Sequence, residues 1–515
     1  MNLLKSLTTV SIITLLSRLL GFIRDSLIAK VFGAGIYSDS FFIAFKLPNL
    51  LRRIFAEGAF SQAFTPILAE YKNKRSNKKT KKFIASTLGI LIIILSIIVI
   101  LGILFSSFII SIIAPGFVNT DFKLKLTSKI LKMTFPYILL ISLSSLASSI
   151  LNIWKNFFVP AITPILLNVS MILLIIIFPN LLEPSILILA WAVLIGGLSQ
   201  IFYQLIYLKK INMLIFPSFK NFDKGVLRVL KKMCTAIIGV AATQISLLIN
   251  SAFSSFLITG SITWIYYSDR LMELPVGMFG IALTIVLLPA LTDAYTQNKE
   301  NEYNQLMDIG LRLCFLLIVP SSLILGFLSK LLLISLFQYG AFTYFDVLMT
   351  QVNIIIYSIG ILFLIIAKVL AIGFYARQDV KTPVQINILI LVITQFMSPI
   401  FIFFLHHIGF PISICIAAFL NVILLYKILI KRKLYKPEHG WLYFLFRILI
   451  VTVILSIILL LIANQVPEKW LILSSFKIRI IYLLSICSII FMLYIFILFL
   501  LGFRIKEFSL KNIIK

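Results

Sequence analysis

The chain has 515 residues, of which 61% are hydrophobic and only 12% charged, and its mean hydropathy is +1.10. Ordinary soluble domains are about 45–50% apolar and about 25% charged, so a soluble globular protein is excluded. Lys and Arg number 46 against 18 Asp and Glu, a formal net charge of +28; these cations sit mainly between apolar runs, without aromatic interleaving or a reading module, which argues against nucleic-acid binding.

Apolar runs of about 20 residues are long enough to cross a bilayer, and about fourteen are read along the chain. They are Leu7–Phe32, Asp39–Leu68, Phe83–Ile113, Ile130–Ile153, Pro160–Phe178, Ile186–Tyr207, Met233–Leu257, Trp264–Leu291, Leu306–Leu328, Phe345–Phe374, Pro383–Leu405, Ile408–Ile430, Trp441–Ile462 and Ile478–Phe503. The expected fold is an all-α polytopic membrane protein. Arginines interrupt the first run and no small-residue cleavage pattern follows it, so it reads as a span and not a signal peptide. The basic stretches Lys72 to Lys82, Lys209 to Lys232, Lys427 to Lys436 and Arg504 to Lys515 fall on one side of the alternating path. Gly33–Ser38, Pro179–Ser185, Thr259–Ser261, Gln338–Tyr344 and His406–Gly409, on the other side, hold no Lys or Arg. By the positive-inside rule both termini are cytoplasmic. The link carrying Asp121, Lys123, Lys125 and Lys129 is a local exception.

Polar interruptions suggest an N-terminal lobe over residues 1–208, a basic cytoplasmic linker over 209–232, a second lobe over 233–430, and a final helix pair with a cytoplasmic tail over 431–515. Two facing lobes of roughly six spans each form a transporter plan with the substrate site between them near the midplane. Pro48 and Pro275 lie inside the second and eighth runs, close to Arg52 and Arg270. A proline removes a backbone hydrogen bond and bends the helix, which suits a gated cavity as well as an ordinary kink.

The most informative residues are charged ones inside apolar runs: Arg18 and Arg24 in the first, Arg52 and Arg53 in the second. Arg18 lies about eleven residues or more from either end of its run, roughly 16 Å of helix, which is beyond snorkelling reach. A charge at a helix centre costs about 2.5–3.5 kcal/mol on insertion scales, so it must face protein, water or an anion. Asp25, Asp39 and Glu57 are possible internal partners or gate residues, but the cations outnumber them. Ser17 shares a helical face with Arg24, as Arg18 does with Asp25. In the second half, Arg270 lies between Asp269 and Glu273. Lys46, Lys368 and Arg447 are further candidates, each also explicable as an anchor.

Clustered guanidinium groups in a low-dielectric cavity suit phosphate, because the planar fork donates paired hydrogen bonds and keeps its charge. An anionic, phosphorylated substrate follows, either soluble or lipid-linked. A voltage sensor would repeat arginine every third residue, and a proton-coupled cation exporter would carry more central carboxylates. Cys234, Cys314, Cys415 and Cys487 are scattered, and His406, His407 and His439 lie at loop edges, so no metal site, disulfide framework or hydrolase signature is read. The pattern favours a transporter over an enzyme, with no cofactor.

The opening MNLLKSLTTVSIITLLSRLLGFIRDSLIAKVFGAGIYSDSFFIAFKLPNLLRRIFAEGAFSQAFTPILAEYK resembles the MurJ (MviN) family of lipid II flippases, in the multidrug/oligosaccharidyl-lipid/polysaccharide exporter superfamily. So do APGF (Ala114–Phe117), TFPYILLISL (Thr134–Leu143), YYSDRLMELPVG (Tyr266–Gly277), GLRLCFLL (Gly310–Leu317), LFQYGAFT (Leu336–Thr343) and GFYARQDVKTPV (Gly373–Val384). The resemblance runs nearly end to end. It implies a bacterial inner-membrane flippase that carries undecaprenyl-pyrophosphate-linked disaccharide-pentapeptide from the cytoplasmic to the periplasmic leaflet by alternating access. Ser17, Arg18, Arg24, Arg52 and Arg270 stand at the family's substrate-binding positions, and Asp25, Asp39 and Glu57 where it places acidic gate partners. The last two spans would form a groove for the lipid tail. Membrane potential is the implied energy source. Some relatives hold sodium, for which Asn250, Asp379 and Thr394 are loose candidates. The implied partners are lipid II, membrane lipids and cell-wall synthesis proteins. Two alternatives stay open: an exporter of another polyprenyl-linked glycan or amphipathic anion, and a non-transporting cell-wall scaffold.

Overall fold

The computed structural model describes residues 3–53, 60–179, 181–219 and 223–503, for 3–8 and 238–243 the backbone alone. Its contacts divide the chain into two compact units, Met1–Thr263 and Trp264–Lys515. Among the described residues every regular element is a helix.

The first unit runs α1 (Leu3–Phe32), α2 (Ile36–Leu51), α3 (Ser61–Lys74), α4 (Asn77–Leu104), α5 (Ser106–Ile113), α6 (Asp121–Thr134), α7 (Tyr137–Ile153), α8 (Phe158–Ile177), α9 (Leu187–Lys210) and α10 (Lys224–Ser254). Gly33 turns the chain between α1 and α2 at φ 61°, a left-handed conformation that costs glycine little and ends helices readily. Among its described residues the second predicted span holds two α-helices. Pro48 lies inside α2, and after Leu51 the backbone widens into a π-type turn at Arg52 and Arg53 before α3 begins at Ser61. Proline deprives the preceding turn of a donor, and such wide turns often mark functional hinges. Phe83–Ile113 likewise divides into α4 and α5 at Phe105, and the fourth span begins earlier than expected, as α6, and bends at Pro136 into α7.

The start of α10 is held on α3 and α4. Phe60, Phe64, Phe83 and Tyr71 form a pile of stacked rings with centroid spacings of 5.1, 5.6 and 4.4 Å. The Tyr71 hydroxyl donates to Asp223 Oδ1 at 2.5 Å, and the same oxygen caps α10 by accepting from Gly225 N at 2.7 Å. Side-chain capping of this kind satisfies an amide that the helix itself leaves unpaired.

The second unit follows with α11 (Ser261–Thr296, whose first residues belong to the first unit), α12 (Glu300–Phe327), α13 (Ser329–Leu336), α14 (Tyr344–Ala376), α15 (Lys381–Leu405), α16 (Gly409–Lys431), α17 (Trp441–Gln465), α18 (Glu468–Leu473) and α19 (Phe476–Leu500). Pro275 and Pro289 are accommodated inside α11 without ending it. Of this unit's long helices α14 is the most enclosed, and it packs on α12 and α16. The helices α17 and α19 meet through Val451, Leu455, Tyr494 and Ile497.

Among the described residues, ten helical stretches are long and apolar enough to cross a membrane, one of them the α15–α16 pair over Lys381–Lys431. The spans read at Leu7–Phe32, Asp39–Leu68 and Met233–Leu257 are largely helical in their described residues but are not among the ten. For α2 the reason is length: 16 residues rise about 24 Å, less than the roughly 30 Å hydrocarbon core.

Candidate functional site

The first unit's charged centre is built where α1 packs on α8. Arg24 is buried and donates from Nε and Nη2 to Asp25 Oδ1 at 2.9 and 2.6 Å, and from Nη1 to Asn168 Oδ1 at 2.9 Å. Asn168 Nδ2 in turn donates to the Ser17 carbonyl at 3.1 Å, so Ser17 joins the cluster through its backbone. Asn168 escaped the sequence reading because a neutral amide in an apolar run carries no charge signal. Arg18, one and a half turns before Arg24, points elsewhere. It is exposed, and among the described residues it makes no hydrogen bond or ion pair.

Asp39 is nearly inaccessible and fully engaged by backbone and hydroxyl donors: Gly260 N at 2.6 Å, Thr263 N at 3.0 Å and Thr263 Oγ1 at 2.6 Å. It neutralises the positive N-terminal turn of α11, whose unpaired amides favour an anion. Arg52 Nε and Nη2 donate to Asn49 Oδ1 at 3.0 and 2.9 Å, while Arg53 is exposed with no partner among the described residues. Lys46 is half-buried on α2. Glu57 lies outside the described residues.

In the second unit, Arg270 donates to Tyr266 Oη at 3.1 and 3.2 Å, lies 5.2 Å from that ring's centroid, and reaches Glu273 Oε2 at 3.5 Å. Asp269 accepts a 2.6 Å hydrogen bond from the fully buried Tyr357. Lys368 is exposed at its position on α14 and donates to the Val276 carbonyl at 3.4 Å. Arg447 donates to the Leu501 carbonyl and lies 3.9 Å from the Phe503 ring centroid. Of the sodium candidates, Asn250 is half-buried on α10, and Thr394 Oγ1 donates to the Ile390 carbonyl at 2.7 Å. Asp379 caps α15 through Thr382 N at 3.0 Å and Thr382 Oγ1 at 2.6 Å and pairs with Arg432 at 3.1 Å. Burial alone would raise the Asp379 carboxyl, but the Thr382 bonds and the Arg432 guanidinium together hold it below the usual carboxylate range.

Residues 28–482 match the family profile described as lipid II flippase MurJ. The chain belongs to that family. It is 46% identical over 512 residues to a probable lipid II flippase MurJ of Buchnera aphidicola from Acyrthosiphon pisum, covering 99% of this chain and 100% of the relative. It is 43% identical over 448 residues to the lipid II flippase MurJ of Burkholderia cenocepacia, covering 86% and 87%. Among solved structures, a lipid II flippase MurJ in an inward closed conformation superposes with a TM-score of 0.76 at 26% identity, covering 94% of this chain and 98% of that one. An inward-facing MATE-family multidrug transporter of the MOP superfamily matches with a TM-score of 0.66 at 13% identity over 84% and 94%, which shows a shared fold. This MurJ-family member is accordingly a multi-pass protein of the bacterial inner membrane, as its apolar helices require.

Proposed function

We propose that this chain flips the undecaprenyl-pyrophosphate-linked peptidoglycan precursor from the cytoplasmic to the periplasmic leaflet by alternating access of two lobes, acting as a transporter and not as an enzyme. The observation that carries the reading is Arg18: a guanidinium midway along an apolar helix, exposed and without a protein partner among the described residues. Such a charge is tolerated at depth only beside water or an anion. Arg24 supports the reading differently. Its fork already holds a carboxylate oxygen at charge-assisted distances, the geometry a phosphate oxygen would take by exchange. Arg52 and Arg53 sit at the π-type turn, where a change of helix register would move both. Arg270 in the second unit is a further candidate cation for the reading, and α17 and α19 offer the apolar surface for the prenyl tail. Membrane potential or a monovalent cation supplies the energy, and cell-wall synthesis proteins are the partners expected on either side of transport.

The test is complementation. In a tractable bacterium depleted of its own flippase, the unaltered chain sustains growth, whereas Arg18→Ala, Arg24→Ala and Arg270→Ala, at matched membrane levels, do not. Growth with all three variants overturns the cationic site. Failure of the unaltered chain when correctly inserted overturns the substrate.

A further inference from the structure

Arg479 opens α19 where an arginine ordinarily snorkels to the headgroups. Here it is only 4% exposed and turns inward. Nη1 donates to the carbonyls of Ile334 and Gln338 at 3.0 and 2.7 Å, Nη2 to that of Ile472 at 2.5 Å, and Nε to that of Ser474 at 3.1 Å. The guanidinium also lies 4.2 Å from the Tyr339 ring centroid. Among the described residues no carboxylate neutralises it; carbonyl oxygens do. Ile334 and Gln338 lie at the C-terminal end of α13, and Ile472 and Ser474 at that of α18. The last carbonyls of a helix lack intrahelical donors and carry partial negative charge, so one cation satisfies the ends of two short helices. Lysine has neither the planar fork nor enough donors for this.

A second tie lies beside the first: Lys330 on α13 pairs with Glu468 on α18 at 2.6 Å. Farther along α19, the Tyr494 hydroxyl donates to the Leu316 carbonyl of α12 at 2.6 Å. The helix is therefore pinned at two levels on the α12–α13 segment, with α17 lodged against it. Large apolar residues of this pair, among them Phe446 and Leu449 on α17 and Ile481 and Leu484 on α19, remain exposed.

We infer that Arg479 is a positioning residue for the lipid tail: by closing the ends of α13 and α18 on one guanidinium it sets the register of α19, and with it the apolar surface that α17 and α19 present to a prenyl chain. The inference rests on the reading of these two helices as the tail surface of a lipid II flippase. Arg479 itself touches no substrate.

The experiment measures tail recognition separately from headgroup recognition. Full-length protein in nanodiscs of neutral phospholipid is titrated with farnesyl-linked and with undecaprenyl-linked disaccharide-pentapeptide diphosphate. Burial of the longer tail makes the undecaprenyl compound bind about tenfold more tightly or better to the unaltered protein. Arg479→Lys lowers that ratio to about twofold while leaving the farnesyl affinity unchanged, because the fork and not the charge sets the register. Tyr339→Leu, which removes the ring and keeps the carbonyl bonds, lowers the ratio by a smaller factor of about two, and it decides the matter if Arg479→Lys does not insert. An unchanged ratio in the inserted variants overturns the inference, as does an equal loss for both compounds, which marks a purely structural residue. An unaltered protein that binds both compounds equally overturns it too, but leaves the headgroup reading standing. One that binds neither overturns the proposed function itself.

Discussion

Several arginines of the two units stand in opposite situations. In the first, Arg18 and Arg53 are exposed and take no partner among the described residues, and Arg24 is held by an aspartate and an amide. In the second, Arg447 and Arg479 end on backbone carbonyls and aromatic rings, as does Arg312, which donates to the His439 carbonyl at 3.2 Å and lies 5.3 Å from the Trp441 ring centroid. Carbonyls at helix ends fix a cation in place and complete a structure. A guanidinium exposed on an apolar helix keeps its donors open, as the proposed anion site requires. What separates a binding arginine from a building one is the partner, which the identity of the residue does not disclose.

The largest expected contrast is between function and stability at Arg18. Arg18→Ala removes no hydrogen bond or ion pair among the described residues, so the thermal midpoint of the purified protein stays unchanged, while growth is lost in complementation through the missing charge; a destabilised variant would erase the contrast. Arg24→Ala has the reverse emphasis. Breaking this buried ion pair costs about 3–5 kcal/mol, read as a marked fall in thermal midpoint, and Arg24→Met combined with Asp25→Asn recovers much of it. Arg447→Met keeps the stem packing and loses a charged hydrogen bond, so stability falls by about 1.5–3 kcal/mol with growth retained. Loss of growth there at normal expression would move Arg447 into the binding class.

The smallest effect belongs to Asp379. Asp379→Ala removes the cap of α15 and costs about 0.5–2 kcal/mol. Because the folded carboxyl titrates below its ordinary value, its contribution is present above the usual aspartate pKa of about 4 and is lost as pH falls through the lowered one. In the alanine variant, the difference from the unaltered chain therefore shrinks in acid.

Much of the helix order was legible because apolar runs and basic loops are strong signals, and Pro48 marked one of the breaks, whereas Pro275 lies inside α11 without ending it. The break at Phe105 carries no such mark. Of the site, charge in the wrong solvent singled out Arg18, Arg24, Arg52 and Arg270. The face-sharing argument paired Arg18 with Asp25, whereas Asp25 takes Arg24, its neighbour in sequence; residues one apart differ by about 100° around a helix, but a guanidinium is long enough to curl back. Asn168 and Tyr357 are uncharged and matter only through the helix they face, and Arg479 lies at the edge of its apolar run, where a charge raises no alarm. Pairing across helices is a product of packing, which no single run of residues contains.

The Arg24 cluster has a consequence for biosynthesis. Asn168 lies 144 positions downstream of Arg24, so at about 5–20 residues per second the ribosome delivers it on the order of ten seconds later. Through that interval the nascent first helix must sit in the translocon or the lipid with its cation only half satisfied. Asp25, adjacent and already synthesised, is the companion that makes the wait tolerable, and the amide arrives to finish what the neighbouring carboxylate began.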